Sequence, residues 1–199
     1  MRYCQVCDEP QVMGHEDDDV VCPACGGHAR ARRMPLFVVT GPSAVGKSTV
    51  QVPLAASLAA DAAVFDSDSL IDAFGRASNG APTDWDAVLE AWLEVAHGLA
   101  QQGRATVLLC SFEPERVERM PNRRAVGPVH HLLLDCADDV RQERLDARPP
   151  WRNHDDDAQA VWSRQLREEV DDQIRTDLLT AEETVVAIAS WVRSHLGDR

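Results

Sequence analysis

Lysine is almost absent from this 199-residue sequence: Lys47 is the only one, and all other basic residues are arginines. Positive charge is scarce overall, since 20 basic residues face 33 acidic ones and the formal net charge is −13. General binding to nucleic acid or to an anionic membrane surface depends on clustered lysine and arginine. The composition therefore disfavours both kinds of partner.

Long apolar segments are also missing. No apolar run approaches the roughly 20 residues that a membrane-spanning helix needs. The opening residues, Met1 to Cys4, do not resemble the start of a signal peptide. We therefore expect a cytoplasmic protein, in which cysteines are reduced and paired cysteines are better interpreted as metal ligands than as disulfides.

The segment Gly41–Thr49 fits the phosphate-binding pattern G-x-x-x-x-G-K-[S/T] at every constrained position. A buried strand is predicted before it, over Leu36–Thr40, and a helix after it, from Lys47 to about residue 60. In such a loop, backbone N–H groups and the positive end of the helix dipole face the phosphates. Lys47 is predicted to hold the outer phosphates and Ser48 to bind Mg²⁺. The predicted nucleotide-binding residues are Gly41, Pro42, Ser43, Ala44, Val45, Gly46, Lys47, Ser48 and Thr49.

A second candidate segment is Asp66-Ser67-Asp68, which follows a short strand predicted over residues 62–65. Ligands bind beyond the carboxyl ends of strands in open parallel sheets. We predict that Asp68 accepts the proton of an attacking hydroxyl group and that Asp66 holds Mg²⁺. The alternative is that one of the two only caps a helix beginning near Ser69. Asp135, at the end of a strand predicted from Val129, is a further candidate metal ligand.

Arginines concentrate near residue 145. Arg141, Arg144 and Arg148 recur at helical spacing, so a helix would carry them along one face. We predict a lid over about residues 141–157, in which Arg144 or Arg148 neutralises charge on a transferring phosphoryl group. A solvated helix, with the arginines paired to neighbouring acids, is the alternative. Trp85 and Trp92 lie on the apolar stripe of an earlier helix and are interpreted as core residues, with stacking on an acceptor as the alternative.

The alternation of strands and helices indicates a three-layer α/β domain around a parallel sheet. The phosphate loop, followed by a strand ending in Asp66-Ser67-Asp68, resembles the shikimate kinase group of small P-loop kinases. Residues 68–72 resemble the matching stretch of chloramphenicol phosphotransferase. The resemblance covers about residues 36–199 and implies five strands in the order 2-3-1-4-5. It also implies that the carboxylate at Asp68 meets the acceptor hydroxyl and that the one at Asp66 serves the metal.

Four of the six cysteines form two C-x-x-C pairs, Cys4 with Cys7 and Cys22 with Cys25. Two such turns present four thiolates, which suits tetrahedral Zn²⁺, and residues 1–33 resemble a zinc ribbon. The alternatives are a redox pair and a site in which His15 or His28 replaces one cysteine. Acidic residues outnumber arginines in this segment, so we expect a structural or protein-contact role.

The predicted organisation is a zinc ribbon over residues 1–33 and a P-loop kinase domain over residues 34–199. The predicted function is ATP-dependent transfer of the γ-phosphate to a hydroxyl group of a nucleoside, metabolite or antibiotic, with Mg²⁺ and a structural Zn²⁺. One alternative is a polynucleotide 5′-hydroxyl kinase whose ribbon grips the strand, although nucleic acid is disfavoured by the charge. The other is a non-catalytic nucleotide-gated switch whose ribbon contacts a partner protein.

Overall fold

The computed structural model describes residues 2–4, 6–11, 14–16, 19–30, 32–71, 83–149 and 156–197. Residues 150–155 of the predicted lid lie outside this part of the chain. Five short strands come first: β1 (Arg2–Tyr3), β2 (Pro10–Gln11), β3 (Gly14–Glu16), β4 (Asp19–Val21) and β5 (His28–Arg30). They form an antiparallel pair, β1 with β2, and an antiparallel sheet in the order β3-β4-β5.

The remainder of the chain alternates strands and helices. The elements are β6 (Leu36–Thr40), α1 (Lys47–Ser57), β7 (Ala62–Asp66), α2 (Trp85–Gln101), β8 (Ala105–Leu109), α3 (Pro114–Glu118), β9 (Val129–Asp135), α4 (Asp138–Asp146), α5 (Asp156–Glu169), β10 (Gln173–Arg175) and α6 (Ala181–Leu196). Short 3₁₀ helices cover Ser67–Leu70 and Pro121–Ala125.

Strands β6 to β10 form one parallel sheet in the order β10-β9-β6-β8-β7. Counted along the chain and read from the other edge, this is the predicted order 2-3-1-4-5, which is therefore confirmed. Strand β6 is central, and every one of its five residues is buried. The loop that follows β6 consequently emerges at the middle of the carboxyl edge, between the ends of β8 and β9.

Helices cover both faces of this sheet. Side chains along β6 point alternately to the two faces and pack against different helices on each. On one face, Phe37 and Val39 pack with α1 and α6 residues that include Val50, Leu54, Ile188 and Val192. On the other face, Leu36 and Val38 pack with α2 residues that include Val88, Leu89, Trp92 and Leu93. The predicted three-layer α/β architecture is confirmed.

Helix α6 begins with the capping box that its sequence predicts. The Thr180 side chain accepts the Glu183 N–H, and the Glu183 side chain accepts the Thr180 N–H. The apolar pattern also predicts that Val186 faces the core, but its side chain is 63% exposed. Val185 and Ile188 define the buried stripe, and a residue one position away from Val185 lies about 100° around the helix.

A short connection joins the N-terminal strands to the α/β domain. The Gln101 amide, at the end of α2, donates to the Arg32 carbonyl at 2.8 Å, and the Arg32 N–H donates to Gln101 Oε1 at 3.3 Å. This connection thus lies against the end of α2. Within the described ranges, no helix is both long and apolar enough to cross a membrane.

Candidate active site

The phosphate loop lies between β6 and α1, and its backbone requires small residues at two positions. A Cβ on Gly41 would clash with the Leu134 carbonyl oxygen of the adjacent strand. Gly46, the residue before α1, has a φ of 103°, a left-handed conformation that favours glycine. Helix α1 begins without a hydrogen bond from a capping side chain. Its first N–H groups are therefore directed at whatever occupies the loop.

Lys47 points back into this loop. Its ammonium group donates to the Gly41 carbonyl and, at 3.0 Å, to the Pro42 carbonyl. Burial lowers the pKa of Lys47 to about 8, although the carboxylates of Asp68 and Asp66 act in the opposite direction. The two carbonyl groups therefore hold the ammonium group inside the loop. Phosphate oxygens bound there would be stronger acceptors than these neutral carbonyls, because they are negatively charged.

Affinity for a nucleotide diphosphate should consequently decrease as the pH rises above about 8. Phosphate binds the protonated lysine, which predominates below its pKa of about 8 and is lost above it. We expect Mg–ADP affinity to be constant from pH 6 to 7 and to fall by up to about tenfold per pH unit above 8. Calorimetric titrations between pH 6 and 9.5 measure this dependence.

Lys47→Arg provides the matched control for that titration. Its guanidinium stays charged throughout the range, so weaker affinity without a decline above pH 8 is expected. A parallel decline in both proteins would contradict the assignment to Lys47.

The two predicted acids lie at the end of β7, where Asp66 is the last residue of the strand and Asp68 lies in the 3₁₀ helix that follows. Asp66 Oδ1 accepts the Asp68 N–H at 3.0 Å and thereby caps the 3₁₀ helix that starts at Ser67. The Ser67 carbonyl accepts a hydrogen bond from Trp92 Nε1 at 3.1 Å. Trp92 is 3% exposed and packs on Phe65. The cap uses one carboxylate oxygen of Asp66, Oδ1, and the Asp68 side chain is exposed.

A central cavity of about 370 Å³ brings the loop and the acids together. It is lined by residues 42–49, Asp66, Ser67, Asp68, Cys110, Ser111 and Arg148. Five of the predicted catalytic and magnesium-binding residues line this cavity: Lys47, Ser48, Asp66, Asp68 and Arg148. Gly41 and Arg144 do not.

Two further cavities share lining residues with the central one. The Trp85 cavity, about 420 Å³, is lined by Ser43, Ser67, Asp68, Ile71, Thr83, Trp85, Ser111, Phe112, Arg116 and Gln159. The Thr176 cavity, about 390 Å³, is lined by residues 44–46, Thr49, Val50, Arg144, Arg148, Thr176, Leu179, Ala181 and Thr184. Asp68 belongs to the central and Trp85 cavities, whereas Arg148 belongs to the central and Thr176 cavities. The central cavity therefore adjoins both others at shared residues, and the three are together called the groove.

The arginines do not share one helix face as predicted. Helix α4 ends at Asp146, so Arg148 lies beyond it, and the Arg141 side chain is buried, at 3% exposure. Arg144 donates to the Ala44 carbonyl at 3.4 Å and to both oxygens of Thr176 at 3.1 and 3.2 Å. Arg144 thus connects the phosphate loop to Thr176, the residue that follows β10. Of the three arginines, Arg148 is the one that lines the central cavity.

Asp135 is engaged away from the central cavity. Its two carboxylate oxygens accept from Arg167 Nε at 2.8 Å and from Arg167 Nη2 at 3.0 Å, and its side chain is 4% exposed. Arg167 also contacts Asp138 at 2.7 Å. The Asp135–Arg167 ion pair joins α5 to β9. Arg167 balances the charge of the Asp135 carboxylate, so the presence of a buried acid here does not require a metal ion.

Asp135→Asn should therefore destabilise the fold and leave metal dependence unchanged. Removing one charge from a largely buried pair costs about 3–5 kcal/mol, and the 29% exposure of the Arg167 side chain reduces this to about 2–3 kcal/mol. Urea denaturation measures the loss, with the exposed Glu168→Gln on the same helix as a control near zero. A shift in the Mg²⁺ requirement for nucleotide binding would instead support a metal role for Asp135.

The four paired cysteines converge in the N-terminal region. The sulfur atoms of Cys4, Cys7, Cys22 and Cys25 all lie within 4.8 Å of one another. Two sulfur pairs are 3.7 and 3.9 Å apart, close to the ~3.8 Å between ligands of a tetrahedral zinc site with Zn–S bonds of about 2.3 Å. His28 pairs with Asp19 at 3.6 Å, and the His15 side chain lies outside the described part. The thiol geometry fits zinc, with backbone N–H groups of Val6 and Gly27 directed at two of the sulfurs.

Sequence patterns did not single out Gln159 or Thr176 as site residues, although both line the groove. Gln159 belongs to a charged helix with no motif, and its neighbour in space, Ser43, is 116 positions away in the chain. Thr176 follows an edge strand, and only the sheet order places it beside the phosphate loop.

Comparisons with known proteins agree with this architecture. A sugar kinase from Janibacter sp. superimposes with a TM-score of 0.59 at 21% identity, covering 80% of this chain and 95% of that one. The tunicamycin resistance protein of Deinococcus radiodurans gives 0.57 at 20% identity, with coverage of 83% and 96%. A gluconokinase from Sinorhizobium meliloti gives 0.54 at 18% identity, with coverage of 85% and 96%. No curated protein matches the sequence significantly. The model of the AAA domain family matches residues 36–172, more than half of the sequence, and the chain belongs to this family of P-loop domains.

Proposed function

We propose that the protein transfers the γ-phosphate of ATP to a hydroxyl group of a small molecule. The observation that carries this proposal is that Asp68 lines both the central cavity, which contains the phosphate loop, and the adjoining Trp85 cavity. A nucleotide-binding switch needs a phosphate site, but it does not need a second cavity that meets the phosphate site at a carboxylate. The groove therefore favours a transferase.

The triphosphate would occupy the central cavity, with the nucleoside in the Thr176 cavity. The N–H groups of the loop and the start of α1, together with Lys47, would bind the phosphates. Arg148 borders both cavities and would compensate charge on the transferring group. Ser48 and Asp66 would hold Mg²⁺, which when bound neutralises phosphate charge. Arg144 contacts the Ala44 carbonyl and would support the loop rather than the phosphoryl group.

The acceptor would occupy the Trp85 cavity. A volume of about 420 Å³ suits a small molecule, and Trp85 and Phe112 offer apolar ring surfaces beside polar groups. In the reaction, the acceptor oxygen forms a bond to the γ-phosphorus while the bond to the leaving ADP oxygen breaks. The hydroxyl proton passes to the Asp68 carboxylate.

The comparisons support a hydroxylated acceptor. Two proteins that share the fold are named as a sugar kinase and a gluconokinase. The net charge of −13 and the size of the Trp85 cavity favour a small acceptor over a polynucleotide.

Phosphorus NMR of mixtures with Mg–ATP and a panel of nucleosides, sugars and phenicol or aminoglycoside alcohols tests the proposal. A new phosphate-ester resonance that depends on one compound, and that Lys47→Met abolishes, is the expected result. Failure of the protein to bind Mg–ATP at all would refute the proposal. Phosphorylation of an oligonucleotide with a free 5′ hydroxyl, and of no small molecule, would replace it with the polynucleotide kinase alternative.

A further inference from the structure

Gln159 joins α5 to the phosphate loop. Its side-chain oxygen accepts the backbone N–H of Ser43 at 3.2 Å. Both residues line the Trp85 cavity, and Ser43 also lines the central cavity. The amide oxygen of Gln159 therefore lies where the two cavities adjoin. It accepts a hydrogen bond from a loop N–H group that would otherwise be available to a phosphate.

The far end of α5 fixes the position of this contact. Leu166 and Val170 pack against Leu133 of β9, and Arg167 is bound to Asp135 and Asp138. Gln159 lies eight residues before Arg167, or about 12 Å along the helix axis. The helix is thus held to the sheet at one end and touches the loop at the other.

The position of Ser43 identifies which phosphate would compete with Gln159. The loop residues 44–46 and Thr49 border the Thr176 cavity, whereas Ser43 borders the Trp85 cavity. Because the γ-phosphoryl group moves to the acceptor, it must lie at the Trp85 end of the central cavity. In the proposed arrangement, the Ser43 N–H would therefore donate to the γ-phosphate.

We propose that Gln159 makes the site distinguish nucleoside triphosphates from diphosphates, an inference that rests on the proposed function. In the nucleotide-free protein its side-chain oxygen occupies the Ser43 N–H. A γ-phosphate oxygen, which is charged and so the stronger acceptor, displaces it. A diphosphate leaves the contact in place. Gln159 is a positioning residue, because the exchange releases its carboxamide in the wall of the acceptor cavity only after a triphosphate has bound.

Two substitutions should move triphosphate affinity in opposite directions. Gln159→Met keeps the length of the side chain and removes the competing oxygen, so triphosphate binding should tighten about 2- to 10-fold relative to diphosphate binding, the range expected for one neutral hydrogen bond. Gln159→Glu places a charged acceptor on the same N–H and repels the γ-phosphate. It should weaken triphosphate relative to diphosphate binding about tenfold or more.

Calorimetric titration with Mg–ADP and with the Mg complex of the β,γ-imido analogue of ATP gives the ratio of the two Kd values. Gln165→Met, at an exposed position of the same helix, is the matched control and should keep the wild-type ratio. Binding of ADP shows that each variant is folded. A ratio within about twofold of wild type in both Gln159 variants would overturn the role of Gln159 alone. Absence of binding of either nucleotide to the wild-type protein would overturn the proposed function, and this inference with it.

Discussion

Asp68→Asn should lower kcat for phosphoryl transfer about 10²- to 10⁴-fold, the range that general-base catalysis contributes. Asparagine preserves the shape of the side chain but cannot take up the acceptor proton. Asp68 lines both the central and the Trp85 cavity, so its carboxylate would border both reactants in the proposed arrangement. Rapid-quench measurement of a single turnover, with the acceptor found in the panel, isolates this step. Mg–ATP affinity should change less than about threefold, since the loop and Lys47 are unaltered.

Asp66→Asn should behave differently and so controls for the loss of a carboxylate. Asp66 lines the central cavity but not the Trp85 cavity. We expect a higher Mg²⁺ requirement and little change in stability, because asparagine caps a helix about as well as aspartate and keeps an oxygen that can accept the Asp68 N–H. If Asp68→Asn retains full turnover, or if the two variants share one kinetic profile, the division of roles is wrong.

Cys22→Ser should remove zinc from the protein and unfold the N-terminal strands. Cys22 is completely buried in the thiol cluster, and apparent binding energies of structural zinc sites are about 10–16 kcal/mol. Among the residues of this region whose side chains the structure describes, the buried apolar ones are Cys4, Val20 and Cys22. Elemental analysis should find about one zinc per wild-type chain and essentially none in the variant, with increased proteolysis confined to the first thirty or so residues.

Cys136→Ser is the matched control, because Cys136 is a buried thiol of the sheet core and lies outside the cluster. It should keep its zinc despite a loss of stability. Nucleotide binding should survive in Cys22→Ser, since no member of the cluster lines the groove. An N-terminal region that resists proteolysis without any metal would contradict a structural zinc site.

The features that were predictable from the sequence depend on local patterns. The phosphate loop is fixed by residues 41–49 and by the strand and helix beside it, all observed as expected. The capping box at Thr180 is equally local. The strand order came from the resemblance to small P-loop kinases, since hydrophobic periodicity alone does not specify which strands are neighbours.

The predictions that failed depend on tertiary packing. Helical spacing placed Arg148 on the face of Arg141 and Arg144, but α4 ends two residues too early. A metal role for Asp135 was left open by the sequence, and its partner in the fold is Arg167, 32 positions further along the chain. The contact between Gln159 and Ser43 has no signal in the sequence at all. Each depends on which elements the sheet brings together, and spacing within one segment does not contain that information.

The single lysine has a practical consequence. Lys47 is the only side-chain amine of the chain, and with a pKa of about 8 roughly a tenth of it is uncharged and nucleophilic at pH 7. An acylating reagent should therefore modify one internal position, inside the groove, besides the terminal amine. Protection of that position by added compounds, read by mass spectrometry, would report occupancy of the groove without knowledge of the acceptor.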